Sequence, residues 1–143
     1  MSQLDIARAI ATIAHRGQVD KAGQPYIHHP QRVADRVALQ GGSERDVVVA
    51  WLHDVLEDSD LTADDLLAAG VDSSAVREVE ALTHKKGVSN EDYWDAINPR
   101  YTARKVKLAD IADNTDIRRL ALLDDKTIVR LVRKYAHALE LLT

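Results

Sequence analysis

The segment Ser43–Asp58 reads SERDVVVAWLHDVLED and joins an apolar helical pattern to a histidine and three carboxylates at its end. Ser43 with Asp46 three residues later is typical of a helix N-cap followed by an acidic first turn. The run from Val47 to Leu52 then predicts the most apolar helix of the chain. The segment therefore predicts a helix whose C-terminal end carries the groups that could do chemistry.

His53 and Asp54 begin this polar end, and Glu57 and Asp58 complete it. If the helix continues through Asp58, His53 lies over Glu57 and Asp54 lies over Asp58, because residues four apart share a face. Like-charged pairs at that spacing cost an isolated helix about 0.2–0.5 kcal/mol each, and a bound cation would reverse the sign of that cost. The alternative for this hexapeptide is a helix end whose acids lie in water.

The rest of the chain also predicts helices rather than strands. Glycine and proline are scarce, at 6 and 3 residues, phenylalanine is absent, and the β-branched residues do not alternate with polar ones. We therefore expect an all-α protein. The other expected helices run from Leu4 to about Arg16, from Pro30 toward Gln40, from Thr62 to Gly70, from Ser73 or Ser74 to about Thr83, from Tyr101 to about Leu120, and from Asp125 to Leu142. Between Lys85 and Pro99 we expect a polar connection that contains a helical turn anchored by Tyr93 and Trp94.

Length and composition limit the class of protein. The chain of 143 residues predicts one domain over residues 1–143, and its net charge of −4 argues against nucleic acid as the main partner. No window is apolar enough to span a membrane, and the start has no leader pattern, so we expect a cytoplasmic protein. Because there is no cysteine, histidine and carboxylates must carry any chemistry.

Two further segments offer possible metal ligands. His29 lies at the start of a predicted helix, and Asp110 lies on an otherwise apolar helical face. Alone, each has an ordinary explanation, since a histidine beside proline is often a cap or loop residue and a lone aspartate usually faces solvent. Together with His53 and Asp54 they supply two imidazoles and two carboxylates, a set that suits a six-coordinate divalent ion such as Mn²⁺.

Four motifs follow one another along the chain: His15-Arg16-Gly17-Gln18, Gly23-Gln24-Pro25-Tyr26-Ile27-His28-His29-Pro30, Leu52-His53-Asp54-Val55-Leu56-Glu57-Asp58, and Val106-Lys107-Leu108-Ala109-Asp110 with Asn114. In this order they resemble the HD-domain hydrolases of guanosine 3′-pyrophosphate alarmones, the hydrolase half of the RelA/SpoT family and its short single-domain members. The resemblance covers almost the whole chain, from about Leu4 to Leu142. It implies a single-domain HD-type helical bundle with a metal site between its helices.

The resemblance also implies roles for individual residues. It implies that Mn²⁺ is held by His29, His53, Asp54 and Asp110, and that the acidic pair Glu57 and Asp58 activates the attacking water. Asn114 matches an asparagine that contacts the nucleotide, one helical turn after the last metal ligand. Lys21, Lys86 and Lys107 are similar to basic residues that approach the substrate phosphates.

Two positions depart from the family pattern. Asp20 stands where many members carry an arginine that packs on the guanine base, so that cation–π partner is lost. Ile117 stands where some members place a hydroxyl or acidic residue near the ribose. Neither change affects the expected metal ligands. We therefore expect hydrolysis to survive and recognition of the base to differ.

The resemblance implies a Mn²⁺-dependent hydrolase that removes the 3′-pyrophosphate of a (p)ppGpp-like alarmone, with a small-molecule nucleotide as its partner. One alternative is a phosphatase or pyrophosphohydrolase that acts on another nucleotide, such as an adenine alarmone or a dinucleotide phosphate. A second alternative is a nucleotide sensor without catalytic activity. The third is an all-α domain whose histidines are structural. The sequence does not indicate the oligomeric state.

Overall fold

The computed structural model describes all 143 residues, Met1–Thr143, and contains ten helices and no β-strand. The helices are α1 (Gln3–Ala14), α2 (His28–Leu39), α3 (Glu44–Leu52), α4 (Val55–Asp58), α5 (Ala63–Ala68), α6 (Ser73–Leu82), α7 (Asn90–Ile97), α8 (Tyr101–Asn114), α9 (Ile117–Leu120) and α10 (Asp125–Leu142). The predicted all-α fold is confirmed. The long loop between α1 and α2 is pinned by one isolated β-bridge, between Val19 and Pro25.

Polar side chains fix where several helices begin. Ser43 caps α3 and forms a capping box with Asp46, as the sequence predicts, and Thr62 caps α5 in the same way. In each box the hydroxyl accepts a hydrogen bond from the third helical residue, which satisfies a backbone N–H that has no partner within the helix.

Helix α3 forms the centre of the molecule. It packs against α1, α2, α6 and α8, and its residues Val48, Val49, Ala50 and Leu52 are all fully buried. Because neighbouring helices cover every side of α3, its apolar residues run continuously rather than along one stripe. His53 and Asp54, which follow its C-terminal end, therefore lie in the interior.

The helix that begins at Glu44 does not continue unbroken to Asp58. It ends at Leu52, and α4 begins after a turn formed by His53 and Asp54. His53 Nδ1 donates a hydrogen bond of 2.6 Å to the carbonyl of Ala50, the acceptor that a continuing helix would offer to the N–H of Asp54. A side chain has thus replaced a backbone bond at the break.

Two other expected boundaries are wrong. The predicted helix from Tyr101 to Leu120 is divided at Thr115, because Asp116 accepts a hydrogen bond of 2.9 Å from the N–H of Arg118 and caps α9. The polar connection after Lys85 contains α7, which is longer than the expected single turn. Tyr93, Trp94 and Ile97 on α7 are buried against the rest of the molecule.

No helix combines the length and the apolar character that crossing a membrane requires.

Candidate active site

Four side chains from three separate segments meet in the interior. His29 comes from the first turn of α2, His53 and Asp54 from the turn between α3 and α4, and Asp110 from α8. One ligand atom of each lies within 4.8 Å of the others. The structure therefore brings together the four predicted ligands, as a cluster that could hold a metal ion.

The turn after α3 allows His53 and Asp54, which are adjacent in sequence, to face the same point. Adjacent residues of a regular helix point about 100° apart, which makes it difficult for His53 and Asp54 to face one ion. At Asp54 the backbone departs from helical geometry, with φ −104° and ψ −2°. His53 Nε2 then lies 3.1 Å from Asp54 Oδ2 and 3.4 Å from Asp110 Oδ1.

Hydrogen bonds orient both imidazole rings. His29 Nδ1 lies 2.6 Å from Asp113 Oδ2, and His53 Nδ1 donates to the Ala50 carbonyl. In the structure Nε2 of each ring faces the cluster, and His29 Nε2 lies 2.8 Å from Asp110 Oδ1. With Nδ1 as the donor, Nε2 of each ring would present its lone pair to a bound ion, as in histidines that bind metals. His53 Nε2 is buried and has no hydrogen-bond partner. An unpartnered nitrogen beside two carboxylates fits a divalent cation.

The charges in the cluster also favour a bound cation. Burial lowers the pKa of His53, but the carboxylates of Asp54 and Asp110 outweigh burial and raise the pKa well above its ordinary value. For His29, burial again lowers the pKa, and hydrogen bonds to Asp110 and Asp113 raise it overall. The carboxylates thus favour positive charge at this position. A divalent ion supplies that charge while the imidazoles stay neutral.

Glu57 and Asp58 lie on α4 at the edge of the cluster and line the cleft that leads to it. Burial is the main cause that raises the pKa of each above the ordinary carboxyl value, and the nearby charge of Asp54 adds to it. Glu57 also accepts a hydrogen bond from the backbone N–H of His84. Carboxylates with raised pKa values are suited to accept a proton near neutral pH.

The cleft has a volume of about 370 Å³ and is lined by both acidic and basic side chains. Such a volume lies within the usual range of small-molecule sites. Apolar side chains on one part of the wall, among them Leu123, Leu131 and Tyr135, could contact a nucleobase or sugar. Charged residues line the remainder.

Three of the four predicted substrate residues reach the cleft. Lys21 and Lys107 line it, and Lys107 Nζ lies 3.0 Å from Asp110 Oδ2. Asn114 Nδ2 donates to Asp110 Oδ1 at 3.0 Å and to the hydroxyl of Tyr135 at 3.2 Å. Lys86 is exposed in the connection between α6 and α7 and does not line the cleft.

Asp20 has a structural role where relatives were expected to carry an arginine. Its Oδ1 accepts hydrogen bonds of 2.9 Å from the backbone N–H groups of Ala22 and Gln24, and its Oδ2 lies 3.5 Å from Arg119 Nη2. Arg119 lies on α9 and lines the cleft. The cleft therefore contains a guanidinium group, supplied by a different element. Ile117 is 80% exposed and does not line the cleft.

Sequence reasoning missed several residues of this site. Tyr26 donates a hydrogen bond to Asp54, Asp113 contacts His29, and Arg119 and Lys134 line the cleft. A signal existed for Asp113, since it lies three residues after Asp110 and on the same helix face. No local pattern marks Arg119 or Lys134, because both reach the cleft through the tertiary packing of α9 and α10.

Comparisons with known proteins show what the chain is similar to. A guanosine-3′,5′-bis(diphosphate) 3′-pyrophosphohydrolase of Vibrio cholerae is 35% identical over 104 residues, which are 73% of this chain and 14% of that protein. The bifunctional (p)ppGpp synthase/hydrolase SpoT of Escherichia coli is 30% identical over 122 residues, 80% of this chain and 17% of its own length. The chain thus spans less than a fifth of these relatives.

The fold also matches a solved structure from work on a metazoan ortholog of SpoT that hydrolyses ppGpp. The TM-score is 0.81 at 20% sequence identity, and the match covers 99% of this chain and 86% of the other. The family model of the HD domain matches residues 7–140. That match includes every residue of the metal-ligand cluster and both acids of α4, and the chain belongs to the HD domain family.

Proposed function

We propose that this protein is a Mn²⁺-dependent phosphohydrolase that removes the 3′-pyrophosphate of a guanosine 3′,5′-bis(diphosphate)-like nucleotide. The observation that carries the proposal is the convergence of His29, His53, Asp54 and Asp110 at the base of a cleft. The acidic pair of α4 and four cationic side chains also line this cleft. The names of the relatives indicate the substrate class.

Nitrogen and oxygen donors without thiolates suit a hard or borderline divalent ion, and Mn²⁺ belongs to that group. When bound, such an ion lowers the pKa of water and neutralises phosphate charge. The four ligands would hold the ion, and other residues of the chain orient them: Asp113 and the Ala50 carbonyl fix the two imidazoles, and the Tyr26 hydroxyl orients Asp54.

Glu57 and Asp58 are the groups placed to accept the proton of the attacking water. In the reaction a water oxygen bonds to the phosphorus and the bond from that phosphorus to the 3′-oxygen breaks. The 3′-oxygen takes up the proton that the water gave to the acidic pair, and the products are a nucleotide with a 3′-hydroxyl and pyrophosphate. Lys107 and Lys21 stabilise the negative charge of the phosphate groups, and Asn114 contacts the nucleotide. In this proposal α4 carries the acid–base groups, and α8 and the loop before α2 carry the groups that bind the anion.

An assay that follows pyrophosphate and orthophosphate separately tests the proposal. Purified protein with Mn²⁺ would be given guanine alarmones, adenine alarmones and dinucleotide phosphates. We expect pyrophosphate from a 3′-diphosphate nucleotide. Orthophosphate released from a dinucleotide phosphate would instead favour the phosphatase alternative, and tight binding without turnover would favour a sensor.

A second candidate substrate is an adenine alarmone. The observation in its favour is that Asp20 holds the loop and Arg119 supplies the guanidinium of the cleft from a different element. A guanidinium on α9 would contact the base in a different orientation from one in the loop before α2, so the preferred base is expected to differ. Rates for the guanine alarmone far above those for every other nucleotide would exclude this candidate.

We further propose that the protein acts in the cytoplasm, which is consistent with a chain that has no cysteine.

A further inference from the structure

Four cationic side chains line the cleft, and they differ in whether a carboxylate neutralises them. Lys107 pairs with Asp110 at 3.0 Å, and Arg119 pairs with Asp113 at 2.7 Å. Lys21 and Lys134 line the same cleft but form no ion pair with any carboxylate of the chain. Two positive charges therefore remain available to an anionic ligand.

Lys134 is the more informative of the two unpaired lysines. It extends from α10, and its Nζ lies 5.2 Å from the ring centroid of Tyr135, a buried residue that also lines the cleft. Tyr135 is held in turn by Asn114, whose amide also contacts the ligand cluster. The ammonium group is thus connected to Asp110, at the base of the cleft, by three successive contacts.

The surroundings of Lys134 disfavour its own charge. Partial burial lowers its pKa from the ordinary lysine value, and the nearby cations Lys107 and Lys21 lower it further, although Asp110 and Glu57 act in the opposite direction. Partial burial and two neighbouring cations together disfavour the charged form of Lys134. An anion bound between them would relieve that repulsion.

We propose that Lys134 binds a phosphate group of the substrate and determines specificity for polyanionic nucleotides. This inference rests on the proposed function, which supplies the phosphorylated nucleotide. It adds a residue of α10 to the substrate site, where sequence motifs indicated only residues from the loop before α2, the connection after α6 and α8. Lys134 acts in binding, because Glu57 and Asp58 already provide the groups for proton transfer.

Charge and side-chain shape lead to distinct expectations for two variants. Lys134→Met keeps the length of the stem and removes the ammonium group. Lys134→Arg keeps the charge and the ability to donate hydrogen bonds to phosphate. Lys126→Met is the matched control, because Lys126 is an exposed lysine of the same helix that does not line the cleft.

Calorimetric titration of the Mn²⁺-loaded protein is the direct test, with guanosine 3′,5′-bis(diphosphate) and inorganic pyrophosphate as the two probes. A Glu57→Gln background slows turnover during the titration. Loss of a charge-assisted hydrogen bond should weaken nucleotide binding at least about tenfold in Lys134→Met. Lys134→Arg should restore most of the affinity, and Lys126→Met should change it less than about twofold.

Steady-state kinetics with Glu57 intact give the second readout. Lys134→Met should raise KM far more than it lowers kcat, because a contact made equally in the ground and transition states affects binding alone. Equal affinity in Lys134→Met and the parent protein would overturn the inference, and so would a parent protein that binds neither probe. Failure of the proposed function has a different signature, namely tight and Lys134-dependent binding of the nucleotide without release of pyrophosphate.

Discussion

Asp113 links the metal-ligand cluster to a group of arginines. Its carboxylate is 1% exposed and contacts His29 Nδ1 at 2.6 Å, Arg32 Nε at 2.8 Å and Arg119 Nη1 at 2.7 Å. Burial raises its pKa, but hydrogen bonds from His29 and Arg32 outweigh burial and hold the pKa below its ordinary value. Asp113 is therefore a charged positioning residue, which keeps Nε2 of His29 directed at the cluster.

Substitution of Asp113 by Asn should weaken metal binding. The amide removes the negative charge that orients the imidazole, and loss of such a partner typically costs about 10–100-fold in metal affinity. Calorimetric titration with Mn²⁺ measures the change. Asp116→Asn is the matched control, since Asp116 pairs with Arg36 and Arg118 beyond the end of α8 and does not contact His29. Equal Mn²⁺ affinity in Asp113→Asn and wild type would show that His29 needs no such partner.

The raised pKa values of Glu57 and Asp58 predict a pH dependence of the rate. A carboxyl group accepts a proton only in its ionised form, so kcat/KM should fall as the pH drops through these raised values. The acidic limb should therefore lie above the range of an ordinary carboxyl group. Glu57→Gln should lower kcat by about 10²–10⁴-fold and leave Mn²⁺ affinity within a few-fold of wild type. Loss of metal together with rate would mean that Glu57 is a ligand rather than a base.

At the scale of elements, one buried carboxylate joins α3 to α8. Asp46 is 2% exposed, completes the capping box with Ser43, and accepts a hydrogen bond of 2.7 Å from the hydroxyl of Thr102. Lys105 Nζ lies 3.5 Å from the same carboxylate. Because Asp110 lies within α8 and His53 and Asp54 directly follow α3, this contact helps to set the distance between the two parts of the cluster.

Asp46→Ala should lower the free energy of unfolding by about 2–3 kcal/mol. It removes the hydrogen bond that Asp46 accepts from the N–H of Ser43 in the capping box and leaves the buried Thr102 hydroxyl without its acceptor. Urea unfolding measures the loss. Asp65→Ala provides the comparison, because Asp65 occupies the same place in the capping box of α5 but is exposed, and about 1 kcal/mol is expected there. Equal losses in the two variants would show that the contacts of Asp46 with α8 add nothing to stability.

The contribution of Asp46 should also depend on pH. Burial raises its pKa, but hydrogen bonds from Thr102 and Ser43 outweigh burial, so the pKa in the folded protein lies below the ordinary value of 3.8. The stabilisation is then complete above the pKa of the unfolded chain and is lost as the pH falls through the folded value. The difference in stability between wild type and Asp46→Asn should shrink below about pH 4.

The sequence predicted the helices better at their beginnings than at their ends. Ser43 and Thr62 have hydroxyl groups that cap α3 and α5, and such caps act through local hydrogen bonds that the sequence reveals. The end of α3 depends on the His53 ring bonding to Ala50, and no glycine or proline marks it. Helix α7 was underestimated because its stability comes from burial of Tyr93 and Trp94 against distant elements.

In the candidate site, too, the sequence identified some residues and missed others. His29, His53, Asp54 and Asp110 could be selected because their residue types and order carry chemical information, whereas Arg119 and Lys134 are ordinary surface residue types. Arg119 and Lys134 line the cleft because α9 and α10 pack against α8. Long-range packing of this kind leaves no short pattern in the sequence.

For the molecule as a whole, metal binding should contribute to folding stability. The cluster joins α2, α8 and the turn after α3, so an ion bound there favours the folded state over the unfolded chain. At a Mn²⁺ concentration of 100 times Kd the stabilisation should be about 2.7 kcal/mol. Thermal unfolding with Mn²⁺ and with a chelator measures it, and a midpoint that Mn²⁺ leaves unchanged would contradict the expectation.

The most direct test is the number of Mn²⁺ ions that the folded chain binds, measured by calorimetric titration of wild type, His53→Ala and Asp54→Asn. Circular dichroism would establish that each variant is folded, and Asp54→Asn preserves the size of the side chain. If the two imidazoles and two carboxylates share one ion, wild type binds a single Mn²⁺ and both variants lose it or bind it at least about 100-fold more weakly. A wild type that binds no ion, or variants that bind it as tightly as wild type, would contradict the proposed metal centre.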